Sequence, residues 1–261
     1  HELVKVSKQK YVVAVTGDGV NDIPAIKEAN IGIAVDTATD ATKSSADVVL
    51  LSNGISIIRN ILIESRKILE RIYYYTVYRI SESFRVIITV LFIGLALGSY
   101  PLSPIQLILL SLLNDIPIIL IAFDRVKAPR MFRKLKLRKR LMMGTLLGAT
   151  GVLSSVIFMW IGINYLNLTQ HQLQTAFFLK LSISGHLLLL VVRTKGRWYK
   201  SKPGNILLLA ILGTQLFAII LSYFGILMPR ISLTLIGFMI LYSLVWMQVS
   251  DSLKCLYERF Y

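Results

Sequence analysis

Thr16-Gly17-Asp18-Gly19-Val20-Asn21-Asp22 gathers two carboxylates, an amide and a hydroxyl around two glycines. Hard oxygen donors at this density suit magnesium, which keeps several waters and is commonly shared with a phosphate. The glycines let the backbone turn tightly and approach whatever the turn holds. The plain alternative is that Asp and Asn cap a helix and Gly turns the chain. A second group of candidate residues lies inside apolar runs: Glu82, Arg85, Asn114, Asp115, Lys180 and His186. An ionisable group in a bilayer costs about 2.5–3.5 kcal/mol on insertion scales, so each needs a partner or a task. Asp115 stands mid-run in Leu110-Ser111-Leu112-Leu113-Asn114-Asp115-Ile116-Pro117, and Pro117 removes a backbone donor beside it. A helix broken next to a carboxylate is a common way to build an ion site within a membrane. Glu82 and Arg85, three residues apart, share one helix face, and Arg85 is expected to reach Asp115 across the helix pair. Lys180 and His186 read first as groups that bond neighbouring helices, with a direct role for either left open. Asp124, followed by Arg125 and Lys127, reads as structural, and Gln215 and Gln248 as packing residues.

The elements that must position these groups fall into two regimes. Tyr11–Val15 is β-branched and apolar, a buried-strand pattern that delivers the acidic turn at its carboxyl end. Open α/β sheets place their ligands at that end. Ile23–Ala29 reads as a helix with Pro24 in its first turn. Ile31–Val35 and Asp47–Leu51 add two more strands, and the alternation predicts a parallel sheet over residues 1–58. A region this small would hardly bury a core alone, so it is expected to be the second half of a domain that begins upstream.

From Ile55 to about Gly98 the pattern is helical, first amphipathic and then almost wholly apolar from Val86 to Leu97. A stalk running into a membrane span accounts for both halves. Pro104–Phe123, Leu141–Tyr165, Ala176–Val192, Ile206–Phe224 and Leu233–Val249 are each near the length that crosses about 30 Å of hydrocarbon. Composition agrees, at 55% hydrophobic and 16% charged. Six spans put both ends on one side. Segments 125–140 and 193–202 are crowded with Lys and Arg, whereas 99–103, 164–172 and 225–232 carry only Arg230 of that kind. The positive-inside rule then places the soluble region and the basic loops in the cytoplasm. The net charge of +15 comes with no Asp or Glu from Arg125 through Ser250, the distribution of loops facing an anionic leaflet rather than of a nucleic-acid surface. The partner is therefore the lipid bilayer and not nucleic acid. The single Cys255 excludes an internal disulfide. The chain opens at His1, with no methionine, signal peptide or amphipathic leader, and reads as a piece of a longer polypeptide.

The TGDGVND string resembles the hinge signature of P-type ATPases, cation pumps of the haloacid-dehalogenase superfamily. Carried over by position, the resemblance implies that Asp18 helps hold magnesium and that Asn21 and Asp22 complete the phosphorylation pocket, with Asp22 a further metal contact. Asn114-Asp115, with Asp124 beyond, is similar to the sixth transmembrane helix of plasma-membrane proton-pumping P-type ATPases (the type III A branch). Tyr78-Arg79-Ile80-Ser81-Glu82-Ser83-Phe84-Arg85-Val86 is similar to the fifth helix of their prokaryotic members. Leu179-Lys180-Leu181-Ser182-Ile183-Ser184-Gly185-His186, continuing to Arg193-Thr194-Lys195-Gly196, is similar to the eighth helix and its loop.

The fold expected is thus a multi-pass α-helical membrane domain of six transmembrane helices, preceded by part of a HAD-like α/β phosphorylation domain. Its divisions are 1–58 for the phosphorylation half-domain, 59–84 for the stalk, 85–253 for the spans and 254–261 for a cytoplasmic tail. The resemblance implies a proton-exporting, ATP-hydrolysing pump of the plasma membrane, with magnesium as cofactor and Asp115, Asn114, Arg85 and Glu82 as the translocation residues. ATP would be bound by regions not in this sequence. The actuator with its TGE, the nucleotide-binding domain, the phosphorylated aspartate in DKTG and the first four spans are the implied partners from the same polypeptide. The fragment alone should not hydrolyse ATP. Two other readings stay open: a pump of the same build for magnesium or another cation, and an inactive membrane fragment.

Overall fold

The computed structural model describes residues 1–51, 55–129 and 137–260. Parts of the basic segment 125–140, of the phosphorylation half-domain and of the tail expected from the sequence therefore lie outside the described residues. The chain divides into two compact units, His1–Ser65 and Arg66–Tyr261. The first unit thus extends past the boundary expected at residue 58.

In the first unit, helix α1 (Glu2–Lys8) precedes a three-stranded parallel sheet in the order β1 (Ala14–Gly17), β2 (Ile31–Ala34), β3 (Val48–Val49). Helices α2 (Ile23–Glu28) and α3 (Asp40–Ser45) make the crossovers. The first strand starts later than Tyr11–Val15 suggested, and it is not buried. Tyr11 and Val12 are exposed, and of β1 only Gly17 is enclosed. The reason is pairing. Backbone bonds to β2 begin where Asn30 and Ile31 donate to the Val13 carbonyl and Ala14 stands opposite Ile31. Ladder position thus outweighs the apolar run, and Thr16 and Gly17 of the acidic turn belong to the strand itself. The centre of the unit is β2, whose Ile33 and Ala34 are buried with Ile26 of α2, Ala38 and Leu50. Gly32 makes this possible, since a Cβ there would stand 2.5 Å from Ile26 Cγ2.

The second unit is helical. α4 (Ile55–Leu97) enters it, followed by α5 (Pro104–Leu120), α6 (Leu137–Asn164), α7 (Gln170–Val192), α8 (Asn205–Phe224) and α9 (Leu233–Phe260). All six are long and apolar enough to cross a membrane. The helix ends have local causes. Ser103 accepts from Gln106 N while Gln106 accepts from Ser103 N, with Pro104 in the first turn of α5. Thr169 and Gln172 repeat the device at α7, which starts the helix at Gln170 rather than Ala176. Gly225, at φ 73°, closes α8.

Helix α7 is the axis of the bundle: 83% of its apolar window is buried, against 28–39% for the other five. It packs on α5, α6, α8 and α9. One apolar cluster surrounds Phe158, Phe177, Phe178, Leu179 and Met239, and another joins Tyr78, Leu147, Leu189 and Ile211. The outer helix faces carry exposed Leu95, Leu209 and Leu241. Aliphatic surface on that scale is what lipid, not water, covers. The protein is a multi-pass membrane protein.

Candidate functional site

Two places hold the residues singled out above. The first is the turn at the carboxyl end of β1. Asp22 is half-buried, and its Oδ2 accepts from the backbone N–H of Asp18 at 3.1 Å and of Gly19 at 3.3 Å. A Cβ on Gly17 would stand 2.5 Å from that of Asp22, so only glycine lets the carboxylate lie under the turn. This oxygen is engaged in holding the loop. The Asp18 and Asn21 side chains are exposed at the turn. One exposed carboxylate with an amide and the Thr16 hydroxyl nearby in sequence is a donor set that fits magnesium shared with a phosphate. Asp18 presents an exposed side chain at the turn, whereas one Asp22 oxygen is held by the backbone. No cluster of three His, Cys, Asp or Glu capable of holding a metal occurs among the described residues.

The second place is inside the helical bundle, where α4, α5 and α7 meet. Glu82 and Arg85 are 5% and 1% exposed. Arg85 Nη2 donates to both Glu82 oxygens, at 2.7 and 2.6 Å, and to the Leu181 carbonyl at 2.9 Å. Its Nη1 donates to Ser184 Oγ. Asn114 Nδ2 donates to Glu82 Oε1 at 2.8 Å. Gly185 lies against these groups: a Cβ there would sit 3.1 Å from both Arg85 Nη2 and Asn114 Oδ1. The Glu82 and Arg85 side chains are thus enclosed by the bundle. They form an ion pair bridging three helices.

Arg85 does not reach Asp115. That expectation fails because neighbouring positions on a helix point about 100° apart. With Asn114 facing Glu82, Asp115 turns to the outer side of α5. There it accepts from Arg79 Nη1 at 2.6 Å, with the two side chains 38% and 45% exposed. Arg79 is thus a partner the sequence reading missed. The signal available was its place six residues before Arg85 on the same helix.

Lys180 is fully buried and donates to Ser155 Oγ at 2.6 Å. His186 Nε2 donates to the Leu113 carbonyl at 3.2 Å, and Nδ1 meets the Gln215 amide at 2.8 Å. Gln215 is accordingly more than packing. Asp124 is structural as expected. It is wholly buried, accepts from Arg193 Nε at 2.7 Å and from Gly204 N at 2.8 Å, and so ties the ends of α5, α7 and α8 together. Arg85 borders a cavity of about 30 Å³ whose lining also includes Thr150, Ser154, Ser184, Ser243 and Ser250. Arg85 Nε and the hydroxyls of Ser154 and Ser243 are buried without a bonding partner among the described residues. The space suffices for water, which needs roughly 10–15 Å³ and polar neighbours.

Comparison with known proteins finds two matching families. Residues 99–255 match the model of the cation transporting ATPase C-terminus, and residues 2–60 that of haloacid dehalogenase-like hydrolases. A protein of Methanocaldococcus jannaschii, named as a cation-transporting ATPase, is 43% identical over 248 residues. That alignment covers 95% of this chain and 31% of the relative. The chain therefore spans about a third of the curated relative's length.

Proposed function

Since the chain belongs to the cation-transporting ATPase family, as its C-terminal region preceded by a haloacid dehalogenase-like segment, we propose that it is the C-terminal part of an ATP-driven proton exporter. The observation that carries this reading is the state of the two membrane carboxylates. Glu82 has both oxygens on Arg85 and Asn114, and Asp115 has an oxygen on Arg79. A divalent cation needs several free oxygens and is repelled by a guanidinium. A proton needs only one carboxylate to lose its arginine.

Burial favours a protonated carboxyl, and an adjacent guanidinium favours the ionised one. Arg85 has other acceptors in Ser184 and the Leu181 carbonyl, and it borders a water-sized cavity. It can leave Glu82 without losing every partner. Glu82 then takes a proton; when Arg85 returns, the proton is expelled. Asn114 keeps the carboxylate in register through both states. Asp115, bonded to Arg79 on the outer face, serves as the carboxyl group that passes the proton to or from one side of the membrane.

Expelling one charge against an inside-negative potential costs about 2.3 kcal/mol per 100 mV. That work comes from ATP through an aspartyl-phosphate cycle in parts of the protein beyond this chain. Asp18 would hold the magnesium that screens the phosphoryl charge, Asp22 keeps the turn closed, and Asn21 faces the phosphoryl group. In this reading the turn and the two chain ends of the helical region lie in the cytoplasm, on the side of the basic segments 125–140 and 193–202, and the membrane is the plasma membrane.

The test is ATP-driven acidification of vesicles by the full-length protein. Wild type should acidify the lumen of inverted vesicles, and Glu82→Gln should abolish this while leaving the protein folded. ATPase activity that instead rises with one added divalent ion, with no proton movement, would assign the pump to that ion.

A further inference from the structure

Pro117 lies inside α5 and has no N–H. The residue that loses its intrahelical donor is the one four positions earlier, Leu113, whose carbonyl sits beside Asn114. In this structure the Leu113 carbonyl accepts from His186 Nε2 of α7 at 3.2 Å. We propose that His186 stands in for the backbone donor that Pro117 removes. It thereby acts as a positioning residue, fixing the α5 segment that presents Asn114 to Glu82.

Three further observations support the assignment. The first concerns the hydrogen. A carbonyl only accepts, so Nε2 must carry one. The other atom near Nε2 is Thr214 Oγ1 at 3.1 Å, which spends its own hydrogen on the Ala210 carbonyl at 2.7 Å and so also faces Nε2 as an acceptor. Two acceptors on one nitrogen settle the tautomer. The second is anchorage. The Gln215 side-chain oxygen stands 2.8 Å from Nδ1. With the amide's oxygen and nitrogen exchanged, as two acceptors on Nε2 require of a neutral ring, the NH₂ donates to Nδ1, and the Gln215 nitrogen, otherwise without a partner among the described residues, gains a bond. The imidazole is thus held from α8 while it serves α5. The third is place. His186 is 2% exposed and follows Gly185, whose missing side chain leaves room for Arg85 and Asn114. A single turn of α7 therefore sets both the guanidinium side and the amide side of the Glu82 site.

The bond is tested without reference to transport, on the purified chain in detergent micelles. His186→Leu leaves a buried carbonyl unpaired and should lower the folding equilibrium by about 5- to 150-fold. Pro117→Ala restores an N–H at the right position, so in that background the same replacement should cost at least about fivefold less, the Gln215 contact being lost in both. Equal losses in both backgrounds would overturn the proposal. If His186→Leu does not accumulate, His186→Gln and His186→Asn carry the test. The Gln amide nitrogen can occupy the Nε2 position and should keep stability near wild type, whereas the shorter Asn should not. Indistinguishable behaviour of the two would refute it.

The positioning consequence rests on the function proposed above and has its own measurement. In the full-length protein, His186→Leu should displace the pH profile of proton transport, and His186→Gln should restore it. Superimposable profiles with a coupled stability cycle would remove the positioning role and leave only the bond. A wild-type protein that moves no protons would refute the proposed function while the stability cycle still decides the bond.

Discussion

Replacing Arg85 by Met tests whether the bundle is organised around the Glu82 ion pair. The substitution keeps an unbranched apolar stem and removes the guanidinium. Glu82, 5% exposed, is then left with Asn114 Nδ2 at 2.8 Å as its remaining donor in place of two contacts at 2.6 and 2.7 Å. Breaking a buried pair from one side costs about 3–5 kcal/mol, because an uncompensated charge stays behind. The groups that lose Arg85 elsewhere suffer less. Ser184 Oγ still donates to the Lys180 carbonyl at 2.7 Å, and the Leu181 carbonyl lies within helix α7. Almost all the cost therefore sits on the stranded carboxylate, and neutralising it should recover that cost. The double variant Glu82→Gln with Arg85→Met keeps an oxygen for Asn114 and buries no charge. It should lie within about 1.5 kcal/mol of wild type, since removing both members of a buried pair is often close to neutral. Unfolding in mixed micelles, followed by the fluorescence of the three tryptophans, measures both variants. Equal destabilisation of the single and double variants would refute the reasoning, as would an Arg85→Met loss below about 1 kcal/mol.

Asp124→Ala should cost about 3–5 kcal/mol by the same logic, since it strands the buried Arg193; thermal unfolding of the chain in detergent checks it. Gly148→Leu should destabilise by about 1–3 kcal/mol or more, because a Cβ there already stands 2.9 Å from Phe84 Cδ1 and 3.0 Å from the Ser81 carbonyl; the same unfolding assay reads it. Asp18→Asn should leave the fold unchanged, its side chain being exposed, yet raise by at least about tenfold the magnesium needed for phosphoenzyme formation in the full-length protein, measured by magnesium titration.

The fold was largely legible because its signals are local. Apolar runs long enough to cross a bilayer mark the six helices, and Pro24, Pro104 and Gly225 mark helix ends. The misjudged boundaries have a common cause. The start of α7 at Gln170 and the extension of α9 to Phe260 lie in polar sequence that hydropathy ignores, and the Thr169–Gln172 capping box was the available cue. For β1, the true start depends on where β2 offers partners, a non-local fact that an apolar run cannot report. The Asp124–Arg193 tie had a readable signal. With no acid between Arg125 and Ser250, a cation buried in that interval must pair with an acid outside it or with neutral oxygens, and Asp124 is the acid at its border. Arg193 takes Asp124, and Lys180 takes Ser155.

The pairing inside the bundle was not legible, and the reason is the solvent. In water the buried stripe of α5 would stand out against a polar face. In lipid the outer stripe is also apolar, with Ile105, Ile108, Leu112, Ile116 and Ile119 exposed. No amphipathic contrast then tells which side Asn114 or Asp115 occupies. The stripe can still be found by another rule. Gln106, Leu110, Leu113, Asn114, Pro117 and Ile118 recur at helical spacing and are the buried residues of α5. They contain the amide and the proline but not the aspartate. Once Asn114 faces inward, helix geometry sends Asp115 outward. Glu82 can pair along α4 with either Arg79 or Arg85, each three residues away. Asp115 claims Arg79 from outside, and Glu82 is left to Arg85 within. The orientation of one residue on α5 thus assigns both arginines of α4, and with them which acid is sealed from the lipid.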